Sequence, residues 1–162
     1  MQNNQPSLDF SAAAFAKSGM SIADALIGCF QWKYKGVNGG PVTNTERPVT
    51  FIHNILGHTN WVTVFGGTPP HPDFPSGHSS TAGAVEVMFT NLFGENYAFI
   101  NHTYDYLNMP SQSYTSFSDM AQQIGISRVY AGIHTRYACD AARAQGQKIA
   151  ENILDKVKFL KE

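Results

Sequence analysis

Three short clusters in the chain combine residue types that handle anions and protons. The first is Pro75-Ser76-Gly77-His78, which closes the proline-rich segment Thr68 to Pro75. Proline keeps that segment out of a helix, and Ser76 then opens one. Free backbone N–H groups at a helix start, together with its positive dipole end, make a natural anion site. Ser76 adds a hydroxyl, Gly77 lets a ligand approach the backbone, and His78 in the first turn can give or take a proton there. A serine cap followed by an incidental histidine would look the same.

The second cluster is Ser127-Arg128-Val129-Tyr130-Ala131-Gly132-Ile133-His134. Arg128 sits in a mostly apolar helical stretch, where a guanidinium needs a partner, and an oxyanion matches its planar fork. His134 follows a helix break at Gly132, so its ring can be aimed inward. An arginine on a solvated face and a surface histidine are the alternatives. The third cluster is Lys33 with Arg47-Pro48, which reaches a common centre only if the helices on either side run antiparallel.

The elements that must position these residues read as helical. Ser21-Ile22-Ala23-Asp24 resembles a capping box and starts a helix with apolar residues at Ile22, Leu26, Ile27, Cys29, Phe30 and Tyr34. A short helix capped by Asp9 or Ser11 could precede it through Ala12 to Ala16. Gly36 is a stop, and Val37 to Glu46 is a loop. Pro48 suits a first helical position, with Val49 to Leu56 following. Thr59 to Gly67 could be extended. Ser76 to Leu92 is helical, residues 95–115 form a long polar and aromatic loop, and helix returns near Ser116 or Ser118. It falters at Gly132 and resumes near Ala138. The expected class is all-α, a bundle of four to five helices with one long loop. Residues 1–20 are expected to form a partly flexible N-terminal segment, and 21–162 the oxyanion-binding helical domain.

The formal charge of -1, with basic residues scattered along the chain, offers no footprint for nucleic acid. Charged residues make up only 14%, which suggests that a second subunit covers part of the surface, although exposed Gln, Asn, Ser and Thr could fill the same role. A homo-oligomer is therefore expected. No apolar run of membrane-spanning length and no signal peptide are visible, so the compartment stays open. Cys29 and Cys139 read as buried small side chains.

Lys, Arg, Ser-Gly-His and Arg-x5-His occur in this order, and the pattern resembles the superfamily of vanadium haloperoxidases and type 2 phosphatidic-acid phosphatases. The soluble haloperoxidases are nearest, over roughly Ile22 to Ile153. The resemblance implies vanadate as cofactor. Lys33, Arg47 and Arg128 would hold its oxygens, and Ser76 with the Gly77 N–H would complete the cradle. His134 would bond vanadium and His78 would act in acid–base chemistry. The substrates implied are hydrogen peroxide and bromide, with iodide also considered, because His71 stands where the family's halide preference is associated. Lys35 rivals Lys33. Two departures stand out: thirteen residues separate Lys33 from Arg47, against six usually, and Ala138 replaces a common aspartate, with Asp140 two further on. The family's haloperoxidases are also longer, with a second helical bundle ahead of the site. A phosphatase working through a phosphohistidine at His134, and a non-catalytic anion-binding fragment, are the other readings. His53, His58 and His102 are taken as structural or surface residues.

Overall fold

Hydroxyl side chains start three of the helices by accepting from backbone N–H groups that would otherwise lack partners: Ser76 from Ser79, Ser116 from Asp119 and Thr135 from Ala138. The computed structural model describes residues 6–35 and 45–158. Within them lie α1 (Leu8–Lys35), α2 (Pro48–Asn54), α3 (Gly77–Phe93), α4 (Phe117–Tyr130) and α5 (Arg136–Lys156). The helical bundle is as expected. Met1 to Gln5, Gly36 as a helix stop and most of the Val37 to Glu46 loop lie outside the described residues.

The bundle is assembled around α3 and α5, which share the most extensive contact, with α1 and α4 packed on both. Glycine makes the close approach possible. A Cβ on Gly83 would strike the Arg143 backbone, and one on Gly146 would strike the Ser80 carbonyl. The buried positions of this seam are small (Ser79, Ser80, Ala82, Ala84, Ala138, Ala142, Ala150), joined by Met88 and Ile153. Polar groups inside it are paired. Ser80 Oγ donates to Gln145 Oε1 (2.9 Å), and Arg143 forks onto both Glu86 carboxylate oxygens (2.8 and 2.7 Å).

Three expectations about α1 change. The helix thought to begin at Ser21 begins at Leu8 and runs unbroken through that point, because the Ala-rich stretch before it is itself a good helix former. Its buried side is also not the one its large apolar residues suggest. Ala13, Ser21, Ala25, Cys29 and Lys33 face the bundle at helical spacing, whereas Ile22, Leu26, Ile27, Phe30 and Tyr34 are exposed. Small side chains win the inner face because α1 packs closely against α3 and α5. Finally, α1 is long and apolar enough to cross a membrane by length and composition, which periodicity alone had hidden. Its fully buried, hydrogen-bonded Lys33 places it as a helix of the bundle.

Between α3 and α4 the loop carries a small antiparallel hairpin, β1 (Phe99–Asn101) with β2 (Gln112–Tyr114), paired Phe99 to Tyr114, and a 3-10 turn at Asp105–Leu107. Strands of three residues are too short to show an alternating pattern in the sequence. The segment Thr59 to Gly67 forms turns rather than an extended run. The last helix starts at Arg136 rather than Ala138, since Thr135 supplies the cap.

Candidate functional site

The proline-rich loop is pinned from three sides before any ligand is considered. Its Asp73 N–H donates to the Thr45 carbonyl (3.1 Å), and the Phe74 N–H to Thr45 Oγ1 (2.8 Å). From α1, Lys33 Nζ donates to the Pro72 carbonyl (2.6 Å) and the Asp73 carbonyl (3.2 Å). The Phe74 ring is stacked between Trp32 of α1 and Tyr137 of α5, at 6.1 and 5.2 Å. Prolines leave carbonyls without neighbouring donors, and a buried lysine answers them. Two of its three N–H donors are used this way, and one remains.

Arg47 stands just ahead of Pro48 at the N-terminus of α2, and its guanidinium is nearly fully buried. Nε donates to the His71 carbonyl (3.0 Å) and Nη1 to the Ile133 carbonyl (2.9 Å). Nη2 lies 3.0 Å from His71 Nδ1, and Nη1 lies 3.2 Å from His134 Nε2. One side chain thus ties the loop's His71 to the His134 turn.

His134 is aimed by the way α4 ends. Gly132 takes a φ of +73°, a conformation costly for side-chain residues, and Trp61 packs on it so closely that no Cβ would fit. The Ile133 and His134 N–H groups then turn back to the Arg128 carbonyl (3.1 and 3.3 Å). The buried imidazole presents Nδ1 to Asp73 Oδ1 at 2.7 Å.

Arg128 reaches the same place from the last turn of α4. Its guanidinium carbon lies 5.6 Å from the centre of the Phe65 ring. Its Nε is buried and has no hydrogen-bond partner among the described residues. Arg128, His134, His78, His71, Gly77 and Thr81 line a cavity of about 320 Å³, whose apolar wall is Leu26, Phe30, Pro69 and Ile133. A Cβ on Gly77 would meet only Leu26, at 4.0 Å, so the backbone there is open on that side. Ser76, fully buried, accepts from the Ser79 N–H and hydroxyl (3.4 and 3.2 Å), and its own hydroxyl also meets the Cys139 sulfur. His71 packs edge-on against Phe30 at 5.4 Å.

The electrostatics follow from placing positive charge in a partly dry pocket. Burial pulls Lys33 down to about 8. Burial also lowers His134 despite the opposing Asp73 hydrogen bond, and the Arg47 charge adds to the lowering. His78 is lowered by its surroundings' exclusion of water and then by the charges of Arg128 and His134, although its ring edge is open to solvent. His71 is lowered by burial and by Lys33. Each shift favours the uncharged imidazole, so the positive charge of the site rests on lysine and arginine.

The chain folds so that Arg47, His71, Ser76, Gly77, His78, Arg128 and His134 converge, with Lys33 immediately behind the loop. Lys35 is exposed on the last turn of α1, away from these contacts. Asp140 is exposed, and buried Ala138 serves the loop through its carbonyl, which accepts the Ser76 N–H (3.0 Å). His53 meets the Trp61 carbonyl (2.6 Å), and His102 meets Asp105 in the hairpin loop (2.7 Å). Reading by motif missed Asp73, Thr135, Trp61 and Phe65. Asp73 alone carried a signal, being the sole carboxylate between Glu46 and Glu86 and set among prolines.

Residues 56–162 match the family model of the VCPO second helical-bundle domain. No curated protein matches the chain. Among solved structures, a bacterial vanadium-dependent iodoperoxidase is similar over 94% of this chain and 35% of its own, with 33% identity and a TM-score of 0.84. An apo-type bacterial vanadium-dependent chloroperoxidase, 18% identical, covers 83% of this chain and 34% of its own, with a TM-score of 0.62. The holo-type form, 16% identical, covers 83% and 39% with a TM-score of 0.53. Those two likenesses concern the fold alone. The chain spans about a third of the length of the solved structures it matches. A helical bundle that gathers Arg128 and three imidazoles around one cavity, with Arg47 against two of them, and that matches this family model over most of its length, belongs to the vanadium-dependent haloperoxidase family.

Proposed function

We propose that this chain carries a vanadate-dependent haloperoxidase site that oxidises bromide, and iodide beside it, with hydrogen peroxide. The observation that carries the reading is one cavity lined by Arg128 and the imidazoles of His71, His78 and His134, with the buried Arg47 guanidinium in contact with two of those rings. A planar guanidinium fork beside imidazoles suits a tetrahedral oxyanion, which accepts from several donors at once. The donor set suits such a guest. Arg47, Arg128 and the remaining Lys33 N–H would hold its negative oxygens, with the Ser76 hydroxyl and the Gly77 N–H completing the cradle. His134 Nε2 would bond vanadium.

When bound, vanadate supplies a Lewis-acidic centre that makes peroxide electrophilic without changing its own oxidation state. The chain's residues do the rest. His78, whose surroundings favour the uncharged ring, takes a proton from incoming hydrogen peroxide at a ring nitrogen and returns it to the oxygen that leaves as water. Lys33 and the two arginines hold charge that would otherwise oppose the approach of a halide. Overall, bromide loses two electrons, the O–O bond of peroxide breaks, one proton is consumed, and hypobromous acid and water form. The 33%-identical relative is an iodoperoxidase, which supports iodide as a second substrate. His71, on the cavity wall and held by Arg47, is the residue we assign to halide preference.

The test is bromination and iodination of a dye with vanadate and peroxide, run beside hydrolysis of a chromogenic phosphate ester. Vanadate should switch on halogenation and inhibit any ester hydrolysis. Hydrolysis alone would make the chain a phosphatase, and silence in both a binding fragment. The His71→Phe variant should change the bromide-to-iodide rate ratio by about tenfold, on the order of 1.4 kcal/mol in barrier, while still binding vanadate. An unchanged ratio would contradict the assignment.

A further inference from the structure

We propose that Asp73 is the positioning residue that fixes the tautomer of His134, so that Nε2 and not Nδ1 faces the oxyanion cavity. The proposal rests on the reading of His134 as the vanadium-bonding residue, but its core is visible in the chain alone. Asp73 and His134 are both buried, at 1% and 4% exposure, and meet at 2.7 Å between Oδ1 and Nδ1. An ionised carboxylate can only accept, so Nδ1 must carry the ring's proton. Nε2 is then an acceptor; Arg47 Nη1 lies near both ring nitrogens, 3.2 Å from Nε2 and 3.4 Å from Nδ1, so the Asp73 contact is what distinguishes them.

The carboxylate cannot rotate away from this task. Its other oxygen, Oδ2, accepts from Thr135 Oγ1 at 2.7 Å and from the Thr135 N–H at 3.3 Å. The Asp73 backbone is held separately, through its N–H to Thr45 and through its carbonyl to Lys33. Both oxygens and both backbone groups of one residue are therefore committed, and together they join α1, the proline-rich loop and the start of α5. The same aspartate that orders the imidazole also orders the backbone whose carbonyl holds the lysine. Residues that set a ligand histidine's tautomer typically change affinity for the bound group by about 10- to 100-fold when replaced.

The experiment measures the His134 tautomer by 15N–1H NMR in the vanadate-free protein, and vanadate affinity by calorimetry. It compares the original protein with Asp73→Asn, Asp73→Ala and Thr135→Val. The Asn variant keeps the volume of the side chain and so keeps the proposal testable if the Ala variant fails to fold. In the original protein the ring should be the Nδ1–H form. In Asp73→Asn the Nε2–H form should appear and vanadate affinity should fall by about 10- to 100-fold. Thr135→Val removes both the α5 cap and the hydroxyl that holds Asp73 Oδ2, so it should lower the melting temperature and shift tautomer and affinity in the same direction as Asp73→Asn, by less. An Asp73→Asn protein that keeps the Nδ1–H ring and its affinity, losing only thermal stability, overturns the proposal. A protein that binds no vanadate at all, yet shows the tautomer shift, would refute the haloperoxidase reading and leave Asp73's control of the ring standing.

Discussion

At the scale of single residues, the site places positive charge on Lys33, Arg47 and Arg128 and disfavours it on its imidazoles. Burial lowers His134, His78 and His71 below the ordinary histidine value. The consequence for stability has a definite sign. As pH falls through about 6.5, the unfolded chain takes up protons that the folded chain still refuses, so stability present above that value is lost below it. Urea unfolding of the vanadate-free protein should therefore show a lower midpoint at pH 5.5 than at pH 7.5. An equal or higher midpoint at pH 5.5 would contradict neutral histidines. Most of the residues involved were legible in the sequence, because Pro-Ser-Gly-His and Ser-Arg-x5-His carry their own spacing. Asp73 was not assigned, since its partner is 61 positions away and only the fold brings the two together. Nor was the lowered Lys33, whose burial comes from packing against a loop some 40 residues distant.

At the scale of elements, the site depends on how closely α3 and α5 approach. The N-terminus of α3 holds Ser76 to His78, and α5 starts one residue after Thr135, so a shift between these helices moves both halves of the cavity. Gly146 tests this with opposing forces. Alanine there would favour an isolated helix by about 1 kcal/mol, yet its methyl would strike the Ser80 backbone. Packing should win, and Gly146→Ala should destabilise the protein by about 2–3 kcal/mol, a drop of roughly 4–12 °C in melting temperature. A rise in melting temperature would show that the seam is not tight. The helix ends at Gly94 and Gly132, and the start at Ser76, were readable from turn and cap chemistry. The start of α1 and the hairpin were not. Residues 8–20 contain no breaker to separate them from the helix that follows, and strands of three residues leave no period to detect.

At the scale of the whole molecule, the outer surface is unusually apolar. Leu8, Phe15, Ile27 and Tyr34 on α1 are between 54% and 86% exposed, and Ile55, Val62, Val64 and Phe65 are similarly open. Exposed apolar area on this scale marks an interaction surface. It agrees with the low charge content, and with relatives whose chains extend well beyond the part matched here. We expect the chain to self-associate, and light scattering should give a mass above 17.8 kDa. A monomer at micromolar concentration would contradict that expectation. The periodicity of α1 located its apolar stripe but not the direction it faces. A stripe of large residues normally turns inward, and here a stripe of Ala, Ser and Cys takes that place.

The most direct measurement is a calorimetric titration of the protein with vanadate, repeated with His134→Ala and with phosphate as competitor. The account predicts one vanadate per chain, displaced by phosphate, with affinity reduced by at least 100-fold, on the order of 2.7 kcal/mol, in the variant. Undiminished binding by His134→Ala, or no binding by the original protein, would contradict it.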